Sequence, residues 1–149
     1  MTTMQDRLKD EMKQAMRSRE KVRLATIRLM QAAIKQKQVD ERIVLDDPQV
    51  IAVLDKMLKQ RRESIRQYRD AGREELAEVE ETEILIIQEF LPQALSEAEI
   101  GDMIKSAIAE SSASSIKDMG KVMGILKPAM QGRADMAMVS VKIKAMLAT

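Results

Sequence analysis

The sequence predicts an all-α protein, with a helical N-terminal lobe of about four helices over residues 1–91 and a compact three-helix tail over residues 92–149. Three observations carry that expectation. Apolar residues recur at three- and four-residue steps in seven segments, the period of one helical face. No stretch alternates apolar and polar residues between hairpin turns, as a half-buried strand would. The chain has one Phe, one Tyr and no Trp, so its interior must be filled by Leu, Ile, Val, Ala and thirteen Met. Such side chains pack well between helices, and Met fills the irregular gaps left by missing rings. Met also suits adaptable binding surfaces, but gap-filling is the simpler reading.

In order along the chain, Met4, Leu8, Met12, Ala15 and Met16 mark the first helix. A second runs from about Glu20 to Lys37, with Val22, Ala25, Leu29, Ala33 and Ile34 among its apolar positions. Asp46-Asp47-Pro48 reads as a helix start, with acids at the positive end of the dipole and proline in the first turn. Val50, Leu54, Met57, Leu58, Ile65 and Tyr68 line the third helix, and Gly72 stands where a C-terminal cap is expected. A fourth helix spans about Arg73 to Phe90 and stops before Pro92, whose ring blocks continuation. Leu91 to Leu95 is the expected joint between lobes. Ser96-Glu97-Ala98-Glu99 is a capping box opening a helix with Ile100, Met103, Ile104, Ala107 and Ile108. A serine-rich loop, 111–115, precedes a short helix through Met119, Val122, Met123 and Leu126, ending at Pro128. Gly132-Arg133-Ala134-Asp135 turns the chain, and Asp135 caps a last helix bearing Val139, Ile143, Met146 and Leu147.

Composition excludes several classes of function. Without cysteine there is no disulfide framework, thiolate metal site or cysteine nucleophile. Without histidine the commonest general base and metal ligand are missing. No apolar run approaches the roughly 18 residues of a membrane span. Met1 to Lys21 is basic and amphipathic like a transit peptide, but Asp6, Asp10 and Glu11 are acids that such peptides avoid. The expectation is a cytoplasmic protein, with no membrane or DNA partner.

The net charge of +1 says little about partners, but the charge is segregated. Residues 1–45 carry eleven Lys/Arg against six Asp/Glu, whereas residues 74–91 hold seven acids and no base. On the third helix Lys59, Arg62, Arg66, Arg69 and Arg73 step by 3, 4, 3 and 4, which places them within an arc of about 80°. That row is a candidate phosphate track. The competing reading is that Glu74, Glu78 and Glu81 on the next helix fold back and neutralise it. In the tail, Lys117, Lys121, Lys127 and Arg133 cluster around the short helix and its glycines, Gly120, Gly124 and Gly132. Those glycines permit either tight helix packing, the favoured reading, or close approach of another backbone.

No active site emerges. Ser114 or Ser115 with Lys117, and Ser140 with Lys142 or Lys144, are formal serine-lysine pairs. Such catalysis needs a desolvated amine and an oxyanion hole, and serines near helix starts are usually caps. Glu74, Glu78 and Glu81 could share one face towards Mg²⁺, but Mg²⁺ usually needs substrate phosphates as further ligands. Gly120-Lys121-Val122-Met123-Gly124 lacks the spacing and Lys-Ser/Thr ending of a phosphate-binding loop. No catalytic residue, metal or cofactor is assigned.

Several stretches occur together in a specific order: 8–13, 23–35, Lys59-Gln60-Arg61-Arg62-Glu63-Ser64-Ile65 with Tyr68 and Ala71-Gly72-Arg73, and Glu89-Phe90-Leu91-Pro92. Met119-Gly120-Lys121-Val122-Met123-Gly124 followed by Gly132-Arg133-Ala134-Asp135 is the strongest. In these the chain resembles the GatB/YqeY family over nearly its whole length. The resemblance implies a tail like that of the GatB component of the tRNA-dependent amidotransferase, a tail thought to contact tRNA. It brings a family label of carbon-nitrogen ligase with glutamine as amido donor, though neither the catalytic portion of GatB nor an amidase signature is present. Gln131 stands where family members tend to carry Lys before the turn glycine. The leading expectation is therefore a translation-associated accessory protein that binds tRNA or another structured RNA. The alternative is a module that docks on an amidotransferase or aminoacyl-tRNA synthetase without touching RNA, and an independent enzyme comes third. The lack of aromatics argues against stacking of single-stranded bases and for recognition of shape and backbone.

Overall fold

The computed structural model describes residues 2–148, so Met1 and Thr149, the outer ends of the two expected lobes, lie outside the described residues. Among them are seven α-helices, one 3-10 turn and no strand, as an all-α fold requires. The helices are α1 (Met4–Arg17), α2 (Lys21–Glu41), α3 (Asp47–Asp70), α4 (Glu74–Gln88), α5 (Glu97–Ser111), α6 (Met119–Met130) and α7 (Met136–Leu147). Two compact units result, one up to Pro92 and the other from Gln93 onward.

Local chemistry sets the helix ends. Thr3 with Asp6, Asp46 with Gln49, and Ser96 with Glu99 each form a reciprocal capping box, and the Asp135 carboxylate accepts from the Ala137 amide. Each cap satisfies first-turn amides that have no partner inside the helix. Gly72 ends α3 with φ +72°, its amide donating to the Arg69 carbonyl while the Arg73 amide donates to that of Tyr68. This pair of reverse bonds needs a left-handed residue, which glycine adopts without a Cβ clash.

The first unit packs α1 to α4 around Leu8, Ile27, Met30, Leu54, Ile87 and Phe90. At its amino end the Met4 amide donates to Asp47 Oδ1 at 3.0 Å, tying the start of α1 to the start of α3. Two expectations change here. The core face of α2 is Thr26, Ile27, Met30 and Ile34, whereas Val22, Ala25 and Leu29 are exposed. The helix is apolar on both sides, so its period alone could not choose the inner one. α4 ends at Gln88 rather than Phe90. There the amides of Glu89, Phe90 and Leu91 turn to carbonyls three residues back, a tighter coil that buries Phe90 and Leu91.

The second unit gathers Ile104, Ala107, Val122, Leu126, Met130, Val139, Ile143 and Leu147. The 3-10 turn, Ile116–Asp118, leads into α6, which continues through Pro128 to Met130 instead of ending at the proline. Pro128 has no N–H for the Gly124 carbonyl, but Met130 on the same turn is fully buried and holds the last turn in place.

Candidate nucleic-acid interface

The basic row on α3 is largely answered by acids. Arg69 hydrogen-bonds both Glu74 (3.2 Å) and Glu81 across the α3–α4 hairpin, and these bonds raise its pKa further above the ordinary arginine value. Arg66 pairs with Glu63 on its own helix, and Arg73 with Glu75 at 2.7 Å. The Arg73 bond in turn lowers the Glu75 pKa. Arg62 is half-buried and also engaged. Of the five, Lys59 is exposed and makes no ion pair with a described residue. The fold-back of α4 thus uses Glu74 and Glu81, while Glu78, on the same face, is exposed and forms no ion pair with a described residue. These ion pairs are well exposed and individually weak, but they offset much of the positive charge of the row. With Glu74 and Glu81 held by Arg69, the Mg²⁺ geometry does not assemble, and no group of three or more metal-ligating side chains stands together among the described residues.

The cation that matters most inside this hairpin is one the row left out. Arg61, with a side chain 13% exposed, reaches Glu83 at 2.7 Å and Glu80 at 3.9 Å. Burial, then the neighbouring Glu83 charge, raises the Glu80 pKa. Charge counting pointed to Arg62 and passed over Arg61, although its place one residue off the solvent face was readable from helical period.

In the second unit the lysines are disposed differently. At 100° per residue, Gly120, Lys121, Gly124, Lys127 and Pro128 fall on one side of α6, and all five are exposed. A Cβ built on Gly120 or Gly124 would meet nothing within 4 Å. The favoured packing role for these two glycines is therefore corrected: no side chain or backbone of the fold presses on them. Lys117 is exposed just before the helix, on the 3-10 turn. Lys121 lies 3.8 Å from Asp118, a loose pair whose lysine side chain is 68% exposed. The Asp118 carboxylate mainly caps the turn, accepting from the Ser114 amide at 2.9 Å, and that bond lowers its pKa. Ser114 Oγ also leans on Asp118 at 3.5 Å, so the serine serves the turn, and no lysine is within bonding distance of it.

Arg133 belongs to the structure more than to the surface. It is half-buried, its Nε donates to the Gln93 carbonyl at 3.1 Å, and its own carbonyl accepts from the Leu95 amide at 2.8 Å. Gly132, with φ +78°, makes the reversal that aims it there. The segment 93–95 is thereby laced to the α6–α7 turn.

The profile of the YqeY-like protein family matches residues 5–147, and the chain belongs to that family. A relative from Pyrenophora tritici-repentis, "Altered inheritance of mitochondria protein 41, mitochondrial", is 33% identical over 141 residues, covering 93% of this chain and 77% of its own length. Proteins of the same name from Lachancea thermotolerans and Vanderwaltozyma polyspora are 35% and 36% identical over 106 and 85 residues. The matched region spans 57% and 46% of those two relatives, about half their length. These names overturn the cytoplasmic expectation and point to mitochondria instead. Two of the three acids on which that expectation leaned have structural work: Asp6 belongs to the α1 capping box and Glu11 pairs with Arg23. These two acids serve the folding of α1.

Proposed function

We propose that this YqeY-like protein binds structured RNA, tRNA foremost, through the outer face of α6, as an accessory to the chemistry of other proteins. The observation that supports this most is the pair of exposed helical glycines set among lysines. A glycine inside a helix costs about 0.5–1 kcal/mol relative to alanine, and nothing in the fold occupies the space above Gly120 or Gly124. Bare backbone lets a phosphodiester chain come close, while Lys117 and Lys127 form no ion pair with a described residue and Lys121 only the loose one to Asp118, so all three can supply charge. The link to amidotransferases rests on the motif resemblance of the tail and is part of the same proposal. No catalytic group enters it.

The test measures affinity for folded tRNA across a salt series with the full chain. Lys121→Glu with Lys127→Glu should weaken binding and flatten the salt dependence by roughly 0.7–0.9 log unit for each phosphate no longer neutralised. Gly124→Ala should stabilise the second unit by about 0.5–1 kcal/mol and still weaken RNA binding. Unchanged affinity and slope in the double reversal would refute the reading. Arg133→Gln serves as contrast, since it should loosen the 93–95 segment with less effect on the salt slope.

A further inference from the structure

α2 carries a second apolar face that the fold leaves uncovered. Val22, Ala25, Leu29, Ala32, Gln36 and Val39 step by 3, 4, 3, 4 and 3, and all are exposed: Val22 59%, Leu29 46%, Val39 62%. At 100° per residue they occupy an arc of about 100° on the side away from Ile27, Met30 and Ile34. The spacing is the 3.5-residue seam of paired helices, with five of six positions apolar over a length of about 26 Å.

One edge of this seam is a cationic rail. Lys21, Arg28 and Lys35 recur every seven residues beside it, all exposed, and none forms an ion pair with a described residue. The acids of α2, Asp40 and Glu41, sit in its last turn. On the other edge Thr26 is buried and Ala33 partly so.

We infer that the outer face of α2 docks an amphipathic helix of a partner protein whose apolar seam is flanked by Glu or Asp. The charge pattern selects this occupant. A second copy placed antiparallel about a two-fold axis would set one rail against the other, like charge on like. Placed parallel, the rail would meet the edge of Thr26 and Ala33, which holds an acid only at Asp40. RNA offers no aliphatic seam, and this face has no aromatic ring on which a base could stack. A membrane-surface helix uses bulky Leu, Phe or Trp, whereas two of the five apolar positions here are alanine. An acidic helix satisfies both features at once: its seam covers the valines and Leu29, and its carboxylates meet the rail.

The probe is a synthetic peptide of three heptads, the length of α2, with Leu on the seam and Glu flanking it, so that its own charge prevents self-pairing. Binding to the full chain is followed by fluorescence anisotropy. The wild type should bind this peptide about tenfold or more tightly than the same peptide flanked by Lys. Leu29→Glu should weaken binding by about tenfold or more, and Arg28→Glu with Lys35→Glu should weaken it while flattening its salt dependence. Val79→Glu, on the exposed side of α4, should change nothing, and all variants should keep wild-type helicity because each site is solvent-facing. Equal binding of the acidic and basic peptides, no binding of either, or an indifferent Leu29→Glu would overturn the inference. So would a dimer in sedimentation that Leu29→Glu dissolves. Capture by phosphatidylcholine–phosphatidylglycerol vesicles, or binding of folded tRNA, that Leu29→Glu abolishes would overturn it as well. The RNA reading concerns α6 in the other unit, so variants on α6 leave this result untouched and the two fail separately.

Discussion

The one phenylalanine of the chain offers the sharpest energetic test of the first unit. Phe90 is 3% exposed, and two guanidinium groups face its ring, that of Arg7 at 4.8 Å and that of Arg23 at 5.7 Å from the centroid. Arg7 donates to the Glu89 carbonyl at 2.8 Å, while Arg23 pairs with the Glu89 carboxylate and with Glu11 at 3.1 Å. The cluster thus clamps the end of α4 to α1 and α2. Phe90→Leu retains most of the apolar volume and removes the ring. We expect a loss of about 2–3 kcal/mol, combining a small cavity with two cation–π interactions of roughly 0.5–1 kcal/mol each. Arg23→Met keeps the aliphatic stem and removes the charge. In a double-mutant cycle the two changes should couple by about 0.5–1 kcal/mol, because one interaction cannot be removed twice. Tyr68 is the sole tyrosine, and the chain has no tryptophan, so its fluorescence in urea reports the first unit selectively. Coupling within the roughly 0.3 kcal/mol scatter of independent sites would show that the ring is held by burial alone and refute the clamp.

Two further outcomes follow from backbone and charge. Arg19 closes α1 at φ +56°, with the Glu20 amide donating to the Ala15 carbonyl at 3.0 Å. Arg19→Gly relieves the left-handed cost while loosening the unfolded chain, so thermal and urea melts should show a net gain of about 0.5–1 kcal/mol; a loss would mean the arginine side chain stabilises the turn. Glu80 has a pKa raised above 4.5 by burial and by Glu83. The folded state therefore holds the Glu80 proton more tightly than the unfolded chain does, a contribution present at pH below 4.5 and lost as pH rises through the folded value. Glu80→Gln, which cannot ionise, should be more stable than wild type at pH 7, with the difference closing in acid. A variant less stable at pH 7 would show that the attraction of Arg61 outweighs desolvation.

What the sequence made legible was chemistry local to a turn. Asp46, Gly72, Ser96 and Asp135 act as start and stop signals because the groups they satisfy lie within five residues. Pro92 belongs with them, since α4 and its closing turn end just before it. What stayed hidden was decided by residues far apart in the chain. Arg69 looks available on α3 until α4 brings Glu81 back to it, twelve positions later. Arg133 looks like a surface cation until the carbonyl of Gln93, forty positions earlier, is placed at its Nε.

α2 marks the limit of periodicity itself. Val22, Ala25 and Leu29 satisfy the helical period as well as Thr26, Ile27 and Met30 do, so both faces pass the same test. A buried polar residue proves a better guide than the apolar pattern. Thr26 can face the core because its hydroxyl donates to the Val22 carbonyl at 3.0 Å, so the helix itself satisfies the group that would otherwise forbid burial. Charge separates the faces too. Lys21, Arg28 and Lys35 are neighbours of the Val22–Leu29 side, and cations of that density could not border a closed core without partners. The same residues that exclude this side from the interior therefore define what can cover it from outside. A core face and a docking face share hydrophobicity and differ in their borders, so the borders carry the functional information.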